Sequence, residues 1–577
     1  MPGLISRLRP RLQLPRLAAR ARLLSTLPNT PIFRALQSHD PASLAVVHSL
    51  SERSFTYGSL IGDVIRAKEQ LEYKTTGKLA GERVAFLAEN SYDYVVTMLA
   101  IFASDAIALP LSPSFPIGEL QYILDNSEAK MLLATEKYAD KAEQVLKAGL
   151  QREPLFDIRH KLREGAQNES VQLENLKQPA SGGMMLYTSG TTNRPKGVLI
   201  PDSAIAAQAT SLLKAWNYTP QDRLLHLLPL HHIHGVVNAI LTPIFAGSSI
   251  EFMYPFNPDQ VWCRLAAPFT NEPKPKITFL TAVPTVYNRL MTSFTTLPLE
   301  TQQAAKQGIS PSNLRLNISG SAALPTPTKT KWTSLSTGNI LLERFGMTEV
   351  GMAISCGLDP NDRIDGSVGW PLPGVQARLV DTETDEIIPL DSTREGEIQL
   401  RGETIFHSYW DNEKATTESF VSADDGGKSW FKTGDVATRR VVEGAGSGSS
   451  GEWAKGPMYF IQGRKSVDII KTGGEKVSAL EVEREMLSLP QIVEAAVVGL
   501  PSEKWGQKVA AVVVLGADVA STGRNGKAWG PMDLRRALKD RLALYKIPQE
   551  MKVLDAIPRN AMGKVNKKAL VKQVFGI

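Results

Sequence analysis

The 577-residue chain has only two cysteines, Cys263 and Cys356, far apart and with no C-x-x-C pair or Cys/His cluster around them. That excludes a disulfide framework, argues against a zinc site and suits a reducing compartment. It also lacks any unbroken apolar run near the roughly 18 residues that a membrane-spanning helix requires. Acidic residues are missing from the N-terminus: none precedes Asp40, whereas Arg7, Arg9, Arg11, Arg16, Arg20 and Arg22 crowd the start. An acid-free segment of arginines and leucines with Ser6 and Ser25 reads as a mitochondrial transit peptide over residues 1–28, although Pro10 and Pro15 interrupt its amphipathic helix. The same arginines account for the net charge of +6, so the remainder is nearly neutral and carries no basic excess for nucleic acid. A peroxisomal S-K-L type ending is also missing, since the chain closes Phe575-Gly576-Ile577.

What is present fits an ordinary globular composition, in a chain longer than the about 250–300 residues at which one core stops growing. From Thr30 to about Ala180 helical and strand patterns alternate. Arg83–Leu87, Ala106–Leu111 and Ala129–Ala134 read as short buried strands and Tyr94–Phe102 as a helix, a βαβ grammar that predicts a mostly parallel sheet covered on both faces. Leu224–Leu230 reads as a strand running into His231, His232 and His234, with Gly235 breaking the element. A metal site there is opposed by the spacing and by the lack of an adjacent carboxylate. Three further strands stop at Gly or Pro, within 277–289, 314–325 and 340–349, and predict one shared crevice at their C-terminal ends. Gly396–Gly402 and Trp430–Asp435 suggest a small antiparallel subdomain. Gly444–Gly456 is a Gly/Ser-rich insert that reads as a solvated hairpin loop. The last 110 or so residues predict an α+β unit, with helices from about Ser478 to Leu487 and Met532 to Leu542 and strands at 495–498 and 510–514.

The chemistry centres on Tyr187-Thr188-Ser189-Gly190-Thr191-Thr192-Asn193-Arg194-Pro195-Lys196-Gly197. Small hydroxyl and glycine residues let backbone N–H groups converge on an anion, and Lys196 adds a mobile positive charge. Pro195 and Gly197 depart from the Walker pattern, so this is a different phosphate loop.

The run resembles the signature loop of the adenylate-forming superfamily, the acyl-CoA synthetases and their relatives, with Asn193 in place of the usual glycine. Matching motifs follow in the family's order over residues 30–577: Glu343–Glu349, Thr433-Gly434-Asp435, Gly463-Arg464, Thr472-Gly473-Gly474-Glu475, and Pro558-Arg559 with Gly563-Lys564. The resemblance implies a large α/β N-terminal domain with an antiparallel subdomain over 30–463, a hinge within 464–468 and a mobile α+β domain over 469–577. It also implies a site. Thr188, Ser189, Gly190, Thr191, Thr192 and Lys196 would cradle the β,γ-phosphates of ATP, Thr348 the α-phosphate, and Glu349 would hold Mg²⁺. Phe345 would stack on adenine, with Glu343, Gly346 and Met347 in the same box and Gly320, Ser321 and Ala322 as the opposite edge. Asp435 would take the ribose hydroxyls with Arg464 in support. Lys564 would reach the acyl carboxylate, and Gly473 and Gly474 would line the way of the coenzyme A thiol. Lys567 and Lys568 read as solvated tail lysines, and Arg315 as structural.

Within the superfamily the chain most resembles malonyl-CoA synthetases. The stretches 229–239, 319–325 and 468–474 carry that likeness, along with Arg289 and with Arg344, which stands where many relatives have a small or uncharged residue. It implies malonate, with methylmalonate as a second acid, held by His234, Arg289, Ser321 and Arg344, because a dicarboxylate keeps one charge after activation and needs a cation in the pocket. A medium-chain or aryl acyl-CoA synthetase stays open as an alternative, as does an adenylating enzyme that loads a carrier protein.

Overall fold

The computed structural model describes residues 25–577 except 168–170, 177–179, 189–193, 272, 424, 517–518, 520–522, 524–527 and 560–564. The leader expected over 1–28 lies outside the described residues up to position 24. Its last four residues, Ser25–Pro28, form a strand parallel to Val171–Glu174, and Leu27 is buried.

Two large sheets carry the N-terminal part. The first orders its strands Ser408–Tyr409, Lys196–Pro201, Gly183–Thr188, Ile107–Pro110, Arg83–Leu87, Met131–Thr135 and Leu155–Arg159. Arg83–Leu87 pairs in parallel with Ile107–Pro110 and Met131–Thr135, and all three are buried along their length. This is why they read as continuous apolar runs rather than alternating ones. The helix Tyr92–Ala103 that crosses between them is buried throughout, and Ser91 caps it by accepting from the Tyr94 amide.

The second sheet has nine strands. At its centre Arg223–His226, Phe279–Ala282, Leu316–Ser319 and Leu342–Met347 lie side by side and parallel, so their C-terminal ends open onto one edge, as the three stops at Gly and Pro predict. The strand beginning at Arg223 is shorter than expected, ending at His226 rather than Leu230. Gly235 does not break the element either. It lies inside the π-helical segment His234–Leu241, where a Cβ would stand 2.1 Å from the Pro229 carbonyl oxygen; the glycine is required by close approach, not by a turn.

A third, antiparallel sheet combines Val375–Val380, Gly396–Gly402, Phe420–Val421, Trp430–Arg440 and Met458–Arg464. The Gly/Ser-rich insert between its last two strands is not a free solvated loop. Asp362 accepts from the Gly446 amide and the Ser450 hydroxyl, Asp359 accepts from the Ser449 amide, and Ala454 is fully buried. Gly448 allows that close docking, since a Cβ there would fall 2.1 Å from Asp359 Oδ2.

The C-terminal sheet joins Glu475–Ser478, Ile469–Thr472, Gly506–Leu515, Ile492–Ser502 and Glu550–Val553. Strand alternation divides its two faces. Val497, Val509, Ala511 and Val513 pack under the helices Ala479–Leu487 and Pro531–Leu538, while Ala496, Val498, Ala510 and Val512 pack against Leu570 of the helix Lys567–Phe575. No helix among the described residues is long and apolar enough to cross a membrane.

Candidate active site

Three groups of side chains gather at the ends of these strands. The first is the hairpin of the phosphate loop. Gly183–Thr188 pairs antiparallel with Lys196–Pro201 and sets Thr188 opposite Lys196, so these two residues bracket the loop; Ser189, Gly190, Thr191 and Thr192, with Asn193, lie outside the described residues. Ser408–Tyr409 adds to the outer edge of this hairpin, and Lys196 Nζ lies 4.7 Å from the centre of the Tyr409 ring. The Tyr409 hydroxyl donates to Glu349 Oε1 at 2.9 Å. Burial, together with the carboxylate beside it, raises the pKa of that phenol and keeps it a donor. Glu349 is only 6 % exposed, and among the described residues no hydrogen bond engages Oε2. A buried carboxylate with one oxygen anchored and one available, next to a phosphate-type loop, suits a hard cation such as Mg²⁺.

The second group surrounds Arg344. On the strand Leu342–Met347, alternation sends Glu343 and Arg344 to opposite faces. Glu343 points inward to Lys329 Nζ at 2.8 Å, and both side chains are buried, so this carboxylate is committed to the protein's own ion pair. Arg344 is 5 % exposed and donates through Nη2 to Ser321 Oγ at 3.1 Å and, in a very short hydrogen bond, to His234 Nδ1. His234 Nε2 then donates to Thr281 Oγ1 at 2.6 Å. Burial and the neighbouring guanidinium drive the His234 pKa well down, so the imidazole is neutral and its tautomer is set by this chain of bonds. Burial alone pulls Arg344 below the usual guanidinium range. Among the described residues no carboxylate pairs with it, and its Nε has no partner. A buried guanidinium without a counter-ion is costly, and an anionic ligand is the kind of partner that would supply one.

Gly320 makes room for that guanidinium. A Cβ at position 320 would fall 2.5 Å from Arg344 Nε and 2.6 Å from Cζ, while the next residue, Ser321, is held at φ +66° to turn its hydroxyl to Arg344. Gly320→Ala is therefore expected to push the guanidinium aside and lower kcat/KM for the acid by about 10–100-fold, the loss typical when a positioning contact slips by an ångström. Steady-state kinetics with the acid and ATP varied separately check this, because the ATP KM should stay near wild type.

The third group is a carboxylate–guanidinium pair. Asp435 and Arg464 face each other across two strands, with Arg464 Nε 3.1 Å from Asp435 Oδ1. Gly434, at φ +73°, lies within the strand Trp430–Arg440 where its register against Gly396–Gly402 shifts, just before Asp435, and its amide donates to Glu397 Oε1 at 3.0 Å. Phe345, Gly346 and Met347 are half-buried at the end of their strand, and Thr348 is half-buried in the turn that follows. Gly320 is buried, Ser321 and Ala322 are exposed.

Two predicted residues stand apart. Arg289 is on the exposed side of the helix Pro284–Phe294, its guanidinium 4.6 Å from the centre of the Phe256 ring, and no hydrogen bond among the described residues joins it to Arg344, His234 or Ser321. Lys564 lies outside the described residues. Gly473 and Gly474 form a two-residue hairpin turn at φ +59° and +88°, the left-handed pair such a turn requires. Gly473 packs on Trp505, with a would-be Cβ 2.9 Å from Cε3, and nothing lies within 4 Å of one on Gly474. Arg315 is structural, in an ion pair with Asp222. Sequence reasoning missed Thr281 and Tyr409, the side chains that orient His234 and Glu349. Neither has a charge or spacing of its own to flag it.

Comparison with known proteins bears on all three groups. The family model of the AMP-binding enzymes matches residues 33–410, and the model of the AMP-binding enzyme C-terminal domain matches residues 481–564. A CoA ligase of Gibberella moniliformis is 55 % identical, with 95 % of each chain covered. The mitochondrial malonate–CoA ligase ACSF3 of Homo sapiens is 38 % identical, over 94 % of this chain and 92 % of its own. Among solved structures, ATP-bound MatB from Rhodopseudomonas palustris superimposes with a TM-score of 0.76 at 30 % identity, over 94 % of this chain and 98 % of its own.

Proposed function

Since this chain belongs to the AMP-binding enzymes, an AMP-forming acid–CoA ligase family, we propose that it joins malonate to coenzyme A through a malonyl-adenylate. The single observation that carries the choice of acid is Arg344, a buried cation with no anionic partner among the described residues, flanked by His234 and Ser321. Similarity to malonate–CoA ligases over nearly the whole chain supports the same reading.

In the first half-reaction one malonate carboxylate oxygen attacks the α-phosphorus of ATP, and the bond to the bridging oxygen breaks to release pyrophosphate. Repulsion between anions dominates this step, and the protein answers it with cations and N–H donors around the phosphates. Lys196 and the loop 188–192 take the leaving pyrophosphate; Thr348 donates to the α-phosphate; Lys564 bridges it to the acyl oxygen. Glu349 would hold Mg²⁺, which when bound would neutralise charge on the phosphates. Phe345 and residues 320–322 position adenine, Asp435 and Arg464 the ribose. Arg344 holds the distal carboxylate, with neutral His234 keeping the guanidinium in register through Thr281. Arg289 stands at the rim and would guide the dianion inward.

In the second half-reaction the coenzyme A thiol, losing its proton, attacks the acyl carbon and AMP leaves. The C-terminal unit, residues 469–577, turns about the 464–468 linker to exchange Lys564 for the Gly473–Gly474 hairpin. The arginine-rich, acid-free segment read as a leader over residues 1–28, and likeness to a relative named as mitochondrial, support a matrix location.

A panel of acids scored by ATP- and CoA-dependent pyrophosphate release tests the reading. Malonate should lead, with methylmalonate next. Faster turnover of decanoate or coumarate would overturn it.

A further inference from the structure

Lys567 is not the solvated tail lysine that its sequence neighbourhood suggests. Its side chain is 12 % exposed, and Nζ sits 2.5 Å from Asp468 Oδ1 and 2.7 Å from Glu483 Oε1. Local electrostatics oppose a lysine there. It opens the helix Lys567–Phe575, whose first turn contains no acidic residue, and the N-terminal end of a helix disfavours positive charge. The position makes sense through what the lysine touches. Asp468 Oδ2 accepts from the Arg464 amide at 3.0 Å, and the Asp468 amide donates to the Arg464 carbonyl at 2.8 Å. Arg464 in turn pairs with Asp435. Glu483 is fixed by the Val497 amide at 2.7 Å. An unbroken line of contacts therefore runs from the ribose-side carboxylate Asp435, across the 464–468 linker, to the residue that stands three places after Lys564.

We propose that Lys567 is a positioning residue for adenylation: clasped by Asp468 and Glu483, it ties the start of the helix Lys567–Phe575 to the linker in the arrangement that activates the acid. This rests on the proposed role of Lys564 in the first half-reaction. Turning about the linker alters the backbone between Arg464 and Asp468 and so releases the Asp468 end of the clasp. The thioester-forming arrangement does not need that contact, and the two half-reactions should respond differently to its loss.

The test separates them in the full-length enzyme. Lys567→Met should slow acid-dependent pyrophosphate release by about 10–100-fold, while thioester formation from chemically made acyl-adenylate and coenzyme A stays within about threefold of wild type. Lys567→Arg should restore most of the lost rate. Because Lys567→Met strands two buried carboxylates and can destabilise the fold, Lys567→Met/Glu483→Gln is measured beside it; thermal melting of the double variant should return toward wild type while the adenylation defect persists. Equal loss in both half-reactions, or an adenylation rate that recovers with the melting temperature, would mean a structural role only and would overturn the proposal. So would an unchanged Lys567→Met. The ratio of half-reactions is taken with whichever acid the wild type activates best, so a failure of malonate as substrate is seen in the wild type and does not disguise the result on Lys567.

Discussion

Arg344→Met is expected to reduce kcat/KM for malonate by about 10²–10⁴-fold, the range for removing one partner of a desolvated charge pair, while leaving the empty protein at least as resistant to heat as the wild type. The two halves of this prediction have one cause. Arg344 is buried with its Nε unsatisfied, and among the described residues no carboxylate balances it. Burial lowers its pKa, so at neutral pH the native state keeps a proton that its surroundings disfavour, whereas the unfolded chain bears no such strain. Sign follows directly: the destabilisation is present at every pH below the lowered pKa, and it is relieved when the group is replaced. Methionine fills similar volume without charge, and stability gained at the expense of activity marks a group retained for its ligand. Binding of ATP, measured by calorimetry, should persist. A variant that loses ATP binding as well, or that melts far below wild type, would show that Arg344 supports the fold or the nucleotide instead.

Glu349→Gln is expected to cut the rate of pyrophosphate release by about 10²–10³-fold at saturating substrates, a loss typical of removing one electrostatic contact to the transition state. The substitution is nearly isosteric, and the Tyr409 hydroxyl can still donate to the amide oxygen that replaces Oε1. The fold is thus undisturbed, and what disappears is one negative charge and the available Oε2. A magnesium titration distinguishes this from general damage, since the variant should need markedly more Mg²⁺ to reach half its own maximum. An unchanged magnesium requirement would remove Glu349 from the metal's shell.

Much of this architecture was legible from the residues, and the parts that were not have physical reasons. Parallel strands such as Arg83–Leu87 are buried on both faces, so their apolar runs stand out; this one fell on its expected bounds, while those read at 106–111 and 129–134 run over 107–110 and 131–135. The shared edge of the strands at 279–282, 316–319 and 342–347 followed from their Gly and Pro stops. Side-chain partners were harder, because they depend on contacts across long sequence separations. Lys567 meets Asp468 and Glu483 only once the C-terminal sheet has formed, and nothing nearby in sequence signals it. Glu343 and Arg344 are adjacent in one box, yet strand alternation gives one to Lys329 and the other to Ser321 and His234. The Gly/Ser insert misled because composition describes flexibility in an unfolded chain, whereas here small residues allow close docking on Asp359 and Asp362. Gly235 misled similarly: its missing side chain answers the Pro229 carbonyl, not a break in the helix.

The central claim is that a buried guanidinium reads the charge of the acid's far end. It is tested most directly by the wild-type enzyme's kcat/KM for malonate against that for its monomethyl ester, which keeps the reacting carboxylate and neutralises the distal one. Arg344 predicts a preference for malonate of about 100-fold or more, the scale of a charge-assisted contact in a desolvated pocket. Comparable use of the two acids would contradict it.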